Sequence, residues 1–99
     1  MEIKPNYNVV LYHKERILYS LGRYDESILC CNKILQDYPE NGDVLFDKSI
    51  SLTLLDKFDE SITNLEKAIR SGNQFKIKAK KNKAFQKLLE NQRFQEVVN

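Results

Sequence analysis

Two adjacent cysteines, Cys30 and Cys31, are the residues of this chain whose type first suggests chemistry. A redox dithiol needs a C-x-x-C spacing at a helix N-terminus, where the dipole lowers the thiol pKa. These two are neighbours in the middle of a helical pattern, and neighbours on a helix point about 100° apart. They read as small packing residues, Cys31 in the core and Cys30 at a partly exposed edge. His13 is the only histidine and has no partner at ligand spacing, so it reads as solvated rather than metal-binding. The acid pairs Asp25-Glu26 and Asp59-Glu60 fall at helix starts, where the macrodipole favours them without any catalytic role. The sequence contains no glycine-rich phosphate loop and no Ser/His/Asp constellation. The residues therefore point to a non-enzymatic chain with no cofactor and no metal.

The elements that would carry these residues are set by an internal repeat. "RYDESI" at 23–28 returns as "KFDESI" at 57–62, an offset of 34 residues. At the same offset Leu11, Lys14, Leu18 and Leu21 map onto Leu45, Lys48, Leu52 and Leu55. The register holds without a gap from residue 11 to 69. A fixed period of this length marks stacked supersecondary units. Within the first unit, Leu11, Leu18 and Leu21 recur at helical spacing, with Lys14 and Ile17 filling the stripe. Gly22 can supply the left-handed residue that ends this helix, and Asp25 can cap the next. Ile28, Cys31, Ile34 and Leu35 give the second helix its apolar stripe. Pro39 and Asn41-Gly42 mark a turn. The second unit then predicts helices over about 43–55 and 59–70, with Gly72 as the stop. A third unit starts with Ile77, Ala84, Phe85, Leu88 and Leu89 on one helical face, and "QRFQEVV" echoes "DKFDESI" before the chain ends.

Composition fits this organisation. The 99 residues are 41% hydrophobic and 30% charged, with three glycines and two prolines, so helices are favoured over many short strands. No apolar run is long enough to span a membrane, and the N-terminal "MEIKPNYN" has no secretory h-region. A cytoplasmic location with reduced thiols is the expectation. Charge is uneven: residues 1–66 hold 7 Lys/Arg against 12 Asp/Glu, and residues 67–99 hold 9 against 2. The front is acidic and the back basic.

A 34-residue helix–turn–helix period resembles the tetratricopeptide repeat. Its Ala position, where two helices pack closely, is Ser27 and Ser61, and its closing Pro is Pro39. The small residue expected after Lys14 is instead Glu15, with Ser49 in the second unit. The resemblance implies an all-α fold: a right-handed α-solenoid of antiparallel helix pairs, with about five helices plus a short C-terminal helical segment. It divides one domain, 1–99, into repeat 1 (about 8–41), repeat 2 (about 42–75) and a partial repeat 3 (about 76–99).

It also implies that the first helix of each unit lines a concave groove that binds a peptide or helix. Carrying over the register places Tyr12, Arg16, Tyr19, Phe46, Ile50, Asn82 and Gln86 at this ligand-binding groove. Aromatic residues beside an arginine are typical of binding hot spots. The alternative is that these side chains pack on one another or beneath the N-terminal segment. The family's carboxylate clamp for chaperone tails falls on Tyr12, Arg16, Asp47, Ala79 and Lys83. Only Lys83 keeps the charge class, and Asp47 would repel a carboxylate.

A second reading rests on the basic third unit. Lys76, Lys80, Lys83 and Lys87 recur at steps of four, three and four, a continuous basic stripe suited to an acidic protein or, less well, to nucleic-acid phosphates. The leading partner is thus a protein or peptide, with nucleic acid disfavoured and no membrane. The truncated third unit leaves Phe85, Leu88 and Leu89 only partly covered. That implies either a homo-oligomer through the C-terminal end or a module of a longer assembly.

Overall fold

A computed structural model describes residues 7–99, and among these it is all-helical. The elements are α1 (Tyr7–Ser20), α2 (Tyr24–Asp37), α3 (Gly42–Leu54), α4 (Phe58–Ser71) and α5 (Gln74–Lys81). A 3-10 turn (Lys83–Leu88) and α6 (Gln92–Val98) complete the chain.

Both short turns inside the units are built the same way. Gly22 sits at φ 76°, and Asp56, 34 residues later, at φ 61°. Arg23 N–H donates to the Leu18 carbonyl and Gly22 N–H to that of Tyr19. Lys57 N–H and Asp56 N–H do the same to Leu52 and Thr53. This is the paired-bond helix stop that needs one left-handed residue. Asp25 does not cap α2: Arg23 occupies the N-cap, its side chain makes no capping bond, and Asp25 stands in the first turn. Asn41 caps α3 by accepting from Val44 N–H at 3.2 Å. Gly42 opens α3 where a Cβ would fall 2.1 Å from Ser71 Oγ and 2.6 Å from the Phe75 ring, so the chain crosses α4 and α5 closely there.

Two clusters make the core. Leu11, Leu18, Cys30, Cys31, Ile34 and Val44 join α1, α2 and α3. The larger cluster runs from Leu45, Phe46 and Ile50 through Ile62 and Leu65 to Phe75, Phe85, Leu88, Phe94 and Val98. Its spine is a row of rings, Phe75–Phe46–Phe85–Phe94, with centroids 5.5 to 5.7 Å apart. Arg93 ties α6 to α4, reaching Glu66 Oε1 at 3.1 Å and Thr63 Oγ1 at 2.9 Å.

Three expectations change. The third unit's helix is interrupted at Asn82, whose side chain accepts from Ala84 N–H and starts a separate turn. Phe75 and Ala79 are therefore the buried residues of α5, while Ile77 and Leu89 are exposed. Second, Phe85 and Leu88 are fully covered, because Phe94 stacks on Phe85. Leu89, the third residue of that C-terminal patch, stays exposed. Third, Ile17 and Leu21 are exposed in α1, and Glu15 is buried in their place. Position explains this: Val44 and Ser51 of α3 are 1% and 0% exposed beneath the first unit, whereas their counterparts Val10 and Ile17 are 58% and 60% exposed.

Candidate functional site

Between α1, α3 and α5 lies a cavity of about 390 Å³. It is lined by Tyr12, Arg16, Tyr19, Phe46, Ile50 and Asn82 from the predicted groove set, together with Glu15, Ser20, Asp43, Asp47 and Lys78. Gln86 is exposed and is not part of the lining. Phe46 and Ile50 are each 7% exposed, so they serve the core first and present only an edge to the cavity. Cover by the N-terminal segment concerns residues 1–6, which lie outside the described residues.

Helix phase explains the convergence. Tyr12, Arg16 and Tyr19 lie on one side of α1, and Asp43, Phe46, Asp47 and Ile50 on the same side of α3, each at steps of three or four. The upper rim is ordered: Arg16 Nη1 donates to Tyr12 Oη at 3.0 Å, and the guanidinium lies 5.6 Å from the Tyr12 ring centre. Arg16 also stands 3.8 Å from Asp47 Oδ2. Tyr19 packs against Tyr24, with centroids 5.7 Å apart.

The floor was not legible as a site. Glu15 is 1% exposed. Its carboxyl accepts a long hydrogen bond from the Cys31 thiol at 3.7 Å and faces Asp47. Burial, then the hydrogen bond and charge of Asp47, push the Glu15 pKa from its ordinary 4.5 up to about 8. Burial, helped by the charge of Asp43, also raises Asp47, against the hydrogen bond with Glu15 and the pull of Arg16 and Lys78. Asp47 Oδ2 is buried and has no hydrogen-bond partner. The Cys31 thiol is driven far upward by burial and by Glu15, so it stays protonated and is a poor nucleophile. Cys30 is buried too, at 5%, and both thiols are free.

One signal could have exposed the floor. Position 15 is Glu where the second unit has Ser49, and position 31 is Cys where the second unit has Leu65. A longer acid opposite a smaller partner keeps the volume and adds a charge.

The lysine stripe is not continuous. The break at Asn82 puts Lys76 and Lys80 on α5 and Lys83 and Lys87 on the 3-10 turn. Lys76 Nζ donates to the Asn99 carbonyl at 3.1 Å, and Lys87 Nζ pairs with Asp56 at 2.9 Å. Lys80 and Lys83 are exposed on separate elements. His13 is exposed. No helix among the described residues is long and apolar enough to cross a membrane. Comparison with family models, curated proteins and solved structures finds no match to this chain.

Proposed function

We propose that this chain is a non-enzymatic protein-interaction module of the tetratricopeptide kind, a right-handed stack of helix pairs that holds a peptide or helix in its concave groove. One observation carries the reading. Six residues picked by the register of a 34-residue repeat, from α1, α3 and the end of α5, line one cavity. Its mixture of half-buried tyrosines, an apolar edge from Phe46 and Ile50, and a few fixed polar groups is what peptide recognition uses. The interrupted and partly paired lysines give the acidic-partner reading less support.

The test is affinity capture from native lysate with wild type beside a Tyr12→Ala/Arg16→Glu variant. Phe46 is unsuitable because its ring packs on Phe75 and Phe85. The expected result is a partner lost in the variant while its helical content and melting are unchanged. A partner held equally by both proteins would reject the groove.

A further inference from the structure

A second hollow, of about 360 Å³, lies beyond Tyr12 towards the N-terminal end of α1. Val9 and Tyr12 of α1, Ile34 of α2, Val44 of α3, and Tyr38 and Asn41 of the α2–α3 turn wall it. Its volume is in the range of small-ligand sites. Tyr12 and Asp43 line this hollow and the main cavity alike, so one groove runs through both. Of the groove set predicted from the repeat register, Tyr12 alone reaches it.

The repeat shows what fits there. The same slot recurs at the second junction, between α3, α4 and α5. Tyr12, Asn8 and Asn41 map, 34 residues on, to Phe46, Gly42 and Phe75. The register holds into α5, since Leu45 and Ala79 are also 34 apart and both are buried. At this second junction the slot is full. Phe75 is 3% exposed and its ring centre lies 5.5 Å from that of Phe46. It covers Gly42 so closely that a Cβ there would meet the ring at 2.6 Å. At the first junction Asn41 stands in place of that ring. Its side chain turns to cap α3, accepting from Val44 N–H at 3.2 Å. Space that a phenyl ring fills in one junction is therefore open in the other. Arg16 lies 5.6 Å from the Tyr12 ring centre but lines the main cavity and not the hollow. Two walls differ between the junctions. Asn8 in place of Gly42 narrows the slot above α1, and Tyr38 in place of Gly72 adds an aromatic wall. Among the described residues Asp43 is the one charged residue of the lining, and the turn beside it carries Asp37 and Glu40.

We propose that this hollow is an aromatic-anchor subsite, which takes one phenylalanine-type ring of the peptide bound in the groove. The inference rests on the groove reading above. The ring sits between Tyr12 and Tyr38, packed on Tyr12 as Phe75 packs on Phe46. An aromatic side chain is preferred over an aliphatic one because ring pairs gain energy beyond the area they bury. Asp43, on the wall shared with the main cavity, sets the charge of the neighbouring peptide residue. That residue is neutral or basic, since an acid beside Asp43, Asp37 and Glu40 is repelled.

The test uses the whole chain, labelled with ¹⁵N at amides. N-acetyl-phenylalanine amide, N-acetyl-leucine amide and N-acetyl-glutamine amide are titrated separately into wild type, Asn41→Phe and Asn41→Ala. Both substitutions remove the α3 cap, but only Asn41→Phe supplies the ring of the second junction and fills the hollow. The expected result is that the phenylalanine probe shifts and saturates the amides of Val9, Tyr12 and Val44. It should bind about two- to tenfold tighter than the leucine probe, with the glutamine probe silent. Asn41→Ala should keep this binding and Asn41→Phe should lose it. Tyr38→Ala, at an exposed position that leaves the cap in place, gives a second reading: phenylalanine binding should fall to the leucine level. The proposal is overturned by equal binding of phenylalanine and leucine, by no saturable shift, by binding retained in Asn41→Phe, or by an unchanged affinity in Tyr38→Ala. If a groove peptide is captured by wild type and lost in Tyr12→Ala/Arg16→Glu, yet binds Asn41→Phe equally and tolerates leucine for each of its aromatic residues, the anchor subsite fails while the groove stands.

Discussion

The two helix seams of the repeat share a backbone contact and differ in everything around it. In the second seam Ser61 Oγ donates to the Ser49 carbonyl at 3.0 Å, and in the first Ser27 Oγ donates to the Glu15 carbonyl at 2.9 Å. The second seam then closes on itself. Ser49 Oγ donates to the Ser61 carbonyl at 2.9 Å, Thr53 Oγ1 donates to the Ser49 carbonyl at 2.9 Å, and both hydroxyls meet Ser61 Oγ. Ser49, Thr53 and Ser61 are all fully buried, neutral and bonded. The first seam puts Glu15 and Tyr19 at the places of Ser49 and Thr53, and Cys31 at the place of Leu65. Its carboxyl is too long for the seam and lies on the groove floor. One seam is a sealed hydroxyl network, and the other opens into a titratable site. Satisfied buried networks rigidify, whereas unsatisfied ones are where function is found.

The strongest way to break the comparison is to put an acid in the sealed seam. Ser49→Glu meets Leu65 instead of a cysteine and strands a charge among bonded hydroxyls. It should cost about 3 kcal/mol or more in urea unfolding, as buried uncompensated groups do. A variant as stable as wild type would show that the seams are interchangeable.

Next comes pH. Because the folded pKa of Glu15, about 8, lies above its ordinary 4.5, the native state holds a proton that the unfolded chain has lost. This contribution is fully present below about pH 4.5 and is lost as pH rises towards 8. Stability should therefore fall between those values, by up to a few kcal/mol, at no more than about 1.4 kcal/mol per unit. Glu15→Gln should flatten that slope, while Ser49→Ala should leave it intact. Urea midpoints at pH 5, 7 and 9 measure both.

A smaller effect separates volume from charge. Cys31→Leu with Glu15 retained overfills the first seam and should cost about 1–3 kcal/mol. Glu15→Ser/Cys31→Leu copies the second seam and should recover most of that loss. A double-mutant cycle with no coupling would mean that the two positions do not share space.

The smallest effect tests the shared turn. Gly22→Ala should cost about 1 kcal/mol, and Asp56→Gly should cost nothing or stabilise by a few tenths, because both positions are left-handed. The Asp56–Lys87 pair lost in the second variant is solvent-exposed and worth little.

Local rules were sufficient for the helices of the first two units. Gly22 as the left-handed stop, the turn at Asn41-Gly42 and the spacing of Leu11, Leu18, Leu45 and Leu52 were readable, whereas the left-handed Asp56, the Asn41 cap and the uncapped start of α2 were not. The register carried over from the resemblance brought Tyr12, Arg16, Tyr19, Phe46, Ile50 and Asn82 to one cavity lining, but not Gln86. The third unit was not readable in this way. Its residues allow one long helix, and the Asn82 break accompanies the packing of Phe85 against Phe46 and of Phe94 on Phe85.

By itself, then, the sequence determined the period, the helix faces and the apolar positions, because each depends on neighbours within a few residues. It also carried the substitution of Glu15 for Ser49, but as a misfit. Only the tertiary structure placed that misfit, buried, in the lining of the cavity. Whether a carboxyl on a helix is solvated or proton-sharing depends on what the next helices place beside it, and here α2 brings the small Cys31 and α3 brings Asp47. The same stacking buried Val44 and left Val10 exposed at an equivalent position. Burial belongs to the pair of surfaces that meet, and no single helix encodes it.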